Sequence, residues 1–261
     1  MKSNYHLNTF AITDIGQTSD NNEDNVFCQT TEDKTAALLV VADGMGGHLA
    51  GEQASQIVID TITDTMQAWL TTDKLLSLTE PTTQIAEALQ SAVQQANRAV
   101  YEYAQENLGE GAHMGSTAAC VFIYQTKAII VNVGDSRVYL FRQGQLRRLT
   151  EDDSIVERFV QEGIITDDER YDHPVGHMVT RAVGPNPDIA VDSFTCDLKR
   201  DDRLLLCSDG LWEMLRGNEA IIRYLKSQDD LPTIGQNLID AANQAGGKDN
   251  ISVILADLLP S

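Results

Sequence analysis

Basic residues are scarce in this sequence. Its 261 residues include 19 Lys and Arg against 39 Asp and Glu, so the formal net charge at pH 7 is −20. A chain with this charge is repelled by the phosphates of nucleic acids and by anionic membrane surfaces. The composition therefore excludes general polyanion binding, and we expect neither a nucleic-acid nor a membrane partner.

Long apolar segments are also missing. The longest runs, residues 36–42 and 128–133, are far shorter than the roughly 20 residues of a membrane-spanning helix. The first residues lack the apolar segment of a secretory signal, which favours a cytoplasmic location. The few cysteines lie far apart and mostly within apolar stretches, which favours buried free thiols over disulfides or a zinc site. They are Cys28, Cys120, Cys196 and Cys207.

The rest of the composition is that of a folded chain. Hydrophobic residues make up 42% of it, which is ample for a sizeable core. The polar connector at residues 71–81 is too short to mark a domain boundary. We therefore expect a single domain over residues 1–261.

Short links in the middle of the chain decide the predicted fold class. Strand-like segments at residues 116–124, 128–133, 137–141 and 145–149 are joined by short turns, which permit only antiparallel neighbours. Further strands are predicted at residues 10–12, 25–28, 36–42, 189–195, 203–207 and 251–256, and helices at 50–70, 85–100, 218–226 and 234–244. This pattern predicts an α+β fold, a four-layer α-β-β-α sandwich of two antiparallel sheets flanked by helices.

Aspartates follow the apolar strands at the points where the strands end. Asp43, Asp135 and Asp209 each come directly after such a segment, and Asp24 and Asp249 stand just before two others. Mg²⁺ and Mn²⁺ prefer carboxylate, carbonyl and water oxygens, and aspartates on rigid strand ends can supply them. A single Asp-Gly pair after a strand is common in turns. Five aspartates at strand ends together indicate a site for divalent cations.

The motifs around these aspartates resemble those of type 2C metal-dependent protein phosphatases, in particular the bacterial branch. The resemblance covers residues 9–258, and the motifs occur in the order of that family. They are Asn22-Glu23-Asp24, Asp43-Gly44-Met45-Gly46-Gly47-His48, Gly115-Ser116-Thr117, Val133-Gly134-Asp135-Ser136-Arg137, Thr180-Arg181-Ala182-Val183-Gly184, Ser208-Asp209-Gly210 and Asp249-Asn250.

This resemblance implies a binuclear Mn²⁺ or Mg²⁺ centre that hydrolyses phosphoserine and phosphothreonine in proteins through a metal-bound hydroxide. Asp43 would bridge the two ions, with Asp24 and the Gly44 carbonyl on one side and Asp209 and Asp249 on the other. Two further acidic residues are implied in lesser roles. Glu23 would act through a water, and Asp135 would hold the third ion of bacterial members.

Two departures from the family pattern affect the substrate site. Ser19 stands where the family has an arginine that binds substrate phosphate, so Arg137 and Arg181 are candidates to replace it. Met45 stands where many eukaryotic members have a histidine proposed as the acid. Protonation of the leaving group would then fall to a bound water or to a histidine, and we name His48 and His173.

The resemblance also predicts a flap beside the active site and the partners of the protein. Residues 152–181 resemble the flap that borders the active site in bacterial relatives, and they include Arg170, His173 and Arg181. The expected partners are phosphorylated proteins and a cognate serine/threonine kinase, and the chain is expected to be a monomer.

Two other functions are weighed against the phosphatase. A serine hydrolase could use Ser136 or Ser208, but the sequence has no Gly-x-Ser-x-Gly elbow. A type 2C fold that has lost turnover could bind phosphoproteins without hydrolysing them, and Ser19 favours that reading. The full set of aspartates argues against it, because a binding module needs no complete cation site.

Overall fold

The computed structural model describes residues 5–47, 49–109 and 113–260, and its strands form two antiparallel sheets. The strands of the first sheet are β1 (Tyr5–Asp14), β7 (Arg137–Arg142), β8 (Gln145–Arg148), β10 (Arg203–Cys207) and β11 (Ile251–Pro260). Their order across the sheet is β1-β11-β10-β7-β8. The strands that lead to Asp209 and away from Asp249 are therefore direct neighbours.

The second sheet is ordered β2-β3-β5-β6-β9, and the short β4 pairs with the end of β3. Its strands are β2 (Asp24–Thr30), β3 (Ala36–Met45), β4 (Gly115–Ser116), β5 (Ala118–Tyr124), β6 (Lys127–Val133) and β9 (Ser193–Asp197). Residues 36–42 of β3 are fully buried. Leu38 and Val40 pack on the helical side of this sheet, and Leu39 and Val41 pack toward the first sheet. A strand covered on both faces explains the unbroken apolar run in the sequence.

Helices cover the outer face of each sheet. They are α1 (Leu49–Met66), α2 (Thr72–Leu76), α3 (Pro81–Asn107), α4 (Ile155–Gln161), α5 (Asp209–Trp212), α6 (Asn218–Leu225) and α7 (Leu231–Gln244), with 3-10 turns at Gln67–Leu70 and Glu169–Asp172. α1 and α3 pack on the second sheet, and α5, α6 and α7 pack on the first. A third apolar layer lies between the two sheets.

The architecture confirms the predicted α+β sandwich of two antiparallel sheets flanked by helices. The predicted polar connector at residues 71–81 contains the short helix α2, and β9 begins at Ser193 instead of residue 189. The four cysteines are free and three of them are buried, as expected. Among the described residues, no helix is long and apolar enough to cross a membrane.

One buried ion pair attaches the predicted flap to the sandwich, and a second joins two residues within the flap. Arg137 Nη2 lies 2.5 Å from Asp152 Oδ2, and Arg170 Nη1 lies 2.7 Å from Glu157 Oε2. All four side chains are nearly inaccessible to solvent. Each guanidinium therefore has a carboxylate partner in the interior, which such a charge requires.

Candidate metal centre

Both sheets contribute aspartates to one end of the sandwich. Asp24 and Asp43 are paired residues at the adjoining ends of β2 and β3. In the other sheet, Asp209 begins α5 two residues after β10, Asp249 precedes β11, and Asp135 precedes β7. Because β10 lies between β7 and β11, these three aspartates come from neighbouring strand ends.

A cleft of about 460 Å³ opens between these strand ends, and we refer to it as the carboxylate cleft. It is lined by Thr18, Ser19, Asp20, Asn21, Glu23, Asp43, Gly44, Met45, Gly47, Thr117, Asp135, His177, Val179, Asp209, Asp249 and Asn250. Asp24 is 4% exposed and lies behind this lining, close enough for the charges of Glu23 and Asp249 to raise its pKa. The structure thus brings together every acidic residue that the sequence nominated.

Buried hydroxyl groups link the two sheets at the carboxylate cleft. Ser208, after β10, donates a hydrogen bond of 2.7 Å to Asp24 Oδ2 on β2. Thr117, before β5, accepts a hydrogen bond of 3.0 Å from the Asp43 amide, and its hydroxyl lies 2.7 Å from that of Ser136 in the other sheet. These hydroxyls fix Asp24 and Asp43, the two aspartates of the second sheet, in position relative to the first sheet.

Ser136 and Ser208 are both completely buried within these links. Neither hydroxyl is accessible to a substrate, and a nucleophile must be. The geometry therefore gives no support to a serine hydrolase.

Close backbone packing sets the position of Glu23 and Gly44. A Cβ on Gly51 of α1 would lie 1.7 Å from Glu23 Oε2, and a Cβ on Gly44 would lie 2.0 Å from the Gly51 carbonyl oxygen. A side chain at position 44 would therefore collide with the backbone, and one at position 51 would displace the Glu23 carboxylate. Asn250 completes the arrangement by accepting a 2.7 Å hydrogen bond from the Glu23 amide.

Burial and mutual repulsion perturb the acidic groups. Burial raises the pKa of Asp43 and Asp209 well above the ordinary value, and neighbouring carboxylates raise it further. Burial also raises the pKa of Asp24 to about 6. For Asp135, burial followed by the charge of Asp152 raises the pKa to about 7. Keeping these groups ionised together requires compensating positive charge.

The residues fit a hard divalent cation. Asp209 Oδ1 is buried and has no hydrogen-bond partner, so one carboxylate oxygen of the site is unsatisfied. In the part of the chain that the structure describes, no group of three or more acidic, His or Cys side chains is placed so that it could hold a metal ion by itself. A cation here would also need carbonyl and water oxygens, which Mg²⁺ and Mn²⁺ accept readily.

The structure corrects the proposal that Arg137 replaces the phosphate-binding arginine. Its side chain is 5% exposed and is absent from the lining of the carboxylate cleft. Its guanidinium donates to Asp152 and stacks on Trp212, with the guanidinium carbon 3.4 Å from the ring centroid. A side chain held in this way cannot reach a substrate phosphate.

The other substrate candidates lie in or beside the cleft. Ser19 lines it, and Arg181 lies in an adjoining groove whose lining shares Met45 and Val179 with it. Arg181 Nε is 2.8 Å from Asp153 Oδ2, so its charge is already paired. The roles of Ser19 and Arg181 stay predictions.

The proton-donor candidates need one correction. His173 packs edge-on against Phe159, with the ring centroids 5.6 Å apart, and does not line the carboxylate cleft. His48 lies outside the described residues. Of the histidines that the structure describes, only His177 lines the cleft. His177 was not among the predicted proton donors, since no motif distinguishes it from His173.

Neither the contacts of the hydroxyls that link the sheets nor the stacking of Arg137 on Trp212 was predictable from the sequence. Thr117 and Ser208 lie within the motifs Gly115-Ser116-Thr117 and Ser208-Asp209-Gly210, but nothing in these motifs indicates the partners of the two hydroxyls. Trp212 donates a 3.1 Å hydrogen bond from Nε1 to the carbonyl of Asp135. This contact ties α5 to the loop that carries Asp135.

The sandwich and the carboxylate cleft together are those of a metal-dependent enzyme. A family model described as protein phosphatase 2C matches residues 16–241. The chain therefore belongs to the protein phosphatase 2C family, as the motif resemblance implied.

Individual relatives match nearly the full chain. Serine/threonine phosphatase stp of Listeria innocua serovar 6a is 37% identical over 245 residues, which cover 94% of this chain and 93% of the relative. The solved structure of the serine/threonine phosphatase Stp1 from Staphylococcus aureus has a TM-score of 0.86 at 34% identity, covering 98% of this chain and 97% of that one. The catalytic domain of the serine/threonine protein phosphatase PstP, solved in complex with two manganese ions, has a TM-score of 0.82 at 32% identity, covering 98% and 99%.

Proposed function

We propose that the carboxylate cleft holds two divalent cations, Mn²⁺ or Mg²⁺, for the hydrolysis of phosphoserine and phosphothreonine in proteins. The activity follows from membership of the family, and its substrates are phosphoproteins. The observation that supports the metal assignment is the convergence of aspartates from both sheets, one of which, Asp209, has a buried carboxylate oxygen without a hydrogen-bond partner.

The proposed ligands are the residues that the sequence nominated. Asp43 would be shared between the ions, with Asp24 and the Gly44 carbonyl on one side and Asp209 and Asp249 on the other. Two such ions, when bound, lower the pKa of coordinated water and hold the phosphoryl oxygens for in-line attack. Glu23, acting through water, and Asp135, at a third and weaker ion, remain part of the proposal.

Hydroxyl groups around the carboxylate cleft orient two of the proposed metal ligands. Ser208 and Thr117 hold Asp24 and the Asp43 backbone in place through hydrogen bonds. We propose His177 as the donor of a proton to the leaving serine or threonine oxygen, because its side chain lines the carboxylate cleft. Replacing it with glutamine should then slow hydrolysis of a phosphothreonine peptide more than that of p-nitrophenyl phosphate, whose leaving group departs without protonation.

Turnover by metal-stripped protein tests the proposal. The chain is treated with EDTA, desalted and assayed on phosphoserine and phosphothreonine peptides before and after addition of Mn²⁺ or Mg²⁺. We expect release of inorganic phosphate only after the metal is added. Activity that persists in EDTA would contradict the metal assignment, and binding of the peptides without turnover would indicate the non-enzymatic binding module instead.

A cognate serine/threonine kinase, a monomeric state and a cytoplasmic location stay predictions. The monomer can be checked by sedimentation equilibrium at micromolar concentration. A stable dimer would contradict it.

A further inference from the structure

The described lining of the carboxylate cleft carries little positive charge. Among the described residues, none of the cleft-lining side chains belongs to a lysine or an arginine, and His177 is the only one that can carry a positive charge. Acidic side chains contribute much of the lining. They are Asp20, Glu23, Asp43, Asp135, Asp209 and Asp249.

Basic residues around the cleft, the buried Arg137 among them, are paired with carboxylates or exposed to solvent. Arg181 is paired with Asp153, and Arg216 is paired with Asp172. Lys248 meets the cleft loop through its backbone carbonyl, which accepts a 2.7 Å hydrogen bond from the Thr18 hydroxyl, while its side chain is exposed and does not line the cleft.

The negative charge exceeds what two divalent cations neutralise. The six acidic residues of the lining and Asp24 behind them carry more charge than two ions supply, and one additional ion does not reverse the sign. The rest of the molecule adds to this field, since the whole chain has a formal charge of −20. Bound cations can hold the phosphoryl group, but the peptide around it must cross a negatively charged surface.

Two exposed carboxylates extend this surface to the edge of the cleft. Asp20 lines the cleft and has no hydrogen-bond or ion-pair partner in the described part of the chain. Glu52 is exposed and accepts a 2.8 Å hydrogen bond from Asn21, a residue of the lining. A lysine or arginine next to a bound phosphoresidue would find these carboxylates accessible.

We infer that the carboxylate cleft selects phosphorylated segments with lysine or arginine beside the phosphoresidue and disfavours segments with aspartate or glutamate there. This preference rests on the proposed function, because it takes the carboxylate cleft to be the phosphatase site. Charge complementarity of this kind acts mainly on the encounter of the partners and is weakened by salt.

Three phosphothreonine peptides of equal length test the preference. They differ only in the two residues on each side of the phosphothreonine, which are lysine, glutamine or glutamate, and kcat/KM is measured with saturating Mn²⁺ at low ionic strength. We expect the lysine peptide to exceed the glutamate peptide by about tenfold or more, with the glutamine peptide between them. The ratio should shrink at 0.5 M NaCl, where the Debye length is only a few ångströms.

A matched pair of variants assigns the preference to the cleft. Asp20→Lys reverses a charge in the lining, and we expect it to lower the lysine-to-glutamate ratio several-fold. Asp64→Lys makes the same charge change at an exposed position on α1, about 20 Å along the helix from Gly51, and should leave the ratio close to that of the unmodified protein.

The outcomes separate the two proposals. Equal kcat/KM values for the three peptides, or faster hydrolysis of the glutamate peptide, would overturn the inferred preference and leave the metal-dependent phosphatase intact. An equal effect of both variants would also overturn it, because the whole-molecule charge would then be responsible. Absence of metal-dependent hydrolysis for every peptide and for p-nitrophenyl phosphate would overturn both.

Discussion

The hydroxyl of Ser208 lies 2.7 Å from Asp24 Oδ2 and joins the end of a strand in one sheet to the start of a strand in the other. Ser208 is completely buried, and it also accepts a 3.0 Å hydrogen bond from the amide of Ser252. Its hydrogen bond lowers the pKa of Asp24, against the larger opposing effect of burial. Ser208 therefore favours the ionised carboxylate, which is the form that binds a cation.

The first prediction concerns this hydroxyl. Ser208→Ala should weaken Mn²⁺ binding near pH 7 by about tenfold, because a hydrogen bond to a charged group is worth roughly 1.5–3 kcal/mol. Thr31→Val is a matched control, since it removes a buried hydroxyl that donates a 2.7 Å hydrogen bond to Asp33 beyond the other end of β2. Calorimetric titration should show weaker metal binding for Ser208→Ala only, and an equal loss in both variants would point to general destabilisation.

The second prediction separates stability from activity. Asp43→Asn and Asp209→Asn should each lower turnover by at least about 100-fold, because each removes a charge that the cations require. Burial and neighbouring charges hold the pKa of both residues high, so the neutral amides should raise the melting temperature of the metal-free protein.

Thermal unfolding in EDTA at pH 7.5, followed by circular dichroism, measures the melting temperature of the metal-free variants. A rise of a few degrees is expected, since about 1 kcal/mol corresponds to roughly 2–4 °C in a domain of this size. Near-normal turnover in either variant would show that the aspartate was wrongly assigned.

The third prediction is a pH dependence of the metal-free protein. Burial raises the pKa of Asp24 to about 6 and that of Asp135 to about 7, from the ordinary aspartate value of 3.8. The folded state therefore binds more protons than the unfolded state between about pH 4 and 7, and the free energy of unfolding falls as the pH rises through this range.

Urea unfolding in EDTA at several pH values between 5 and 8 checks this trend. Asp135→Asn should flatten the upper part of the curve, because that residue then no longer titrates. A free energy of unfolding that increases with pH in EDTA would contradict the raised pKa values.

The fourth prediction concerns the missing phosphate contact. Ser19 lines the carboxylate cleft, which contains no lysine or arginine among its described lining residues. Ser19→Arg should lower the KM for p-nitrophenyl phosphate several-fold, because a charge-assisted hydrogen bond to phosphate is worth roughly 1.5–3 kcal/mol. An unchanged KM in a folded, metal-loaded variant would mean that Ser19 does not face the phosphate, or that Arg181 already supplies the contact.

Much of the fold was predictable because its signals are local. Short turns between the strands of residues 116–149 required antiparallel pairing, and the apolar run of residues 36–42 indicated the strand that the structure shows as β3. Asp43 and Asp209 were predictable for a similar reason, since each directly follows an apolar strand.

The errors concern side chains whose positions depend on distant partners. Arg137 stands two residues after Asp135 in the sequence, but Asp152 and Trp212 hold its guanidinium in the interior. His177 lines the cleft, whereas His173 packs against Phe159. No periodic pattern in the flap indicates which histidine faces the cleft, because contacts with other parts of the chain decide it.

The most direct test of the metal assignment is a calorimetric titration of the metal-free chain with Mn²⁺ at pH 7.5. The account predicts at least two sites per chain, and the loss of at least one of them in Asp43→Asn but not in Asp64→Asn. A wild-type chain without saturable Mn²⁺ binding would contradict the account, and so would an Asp43→Asn variant that binds the full number of ions with unchanged affinity.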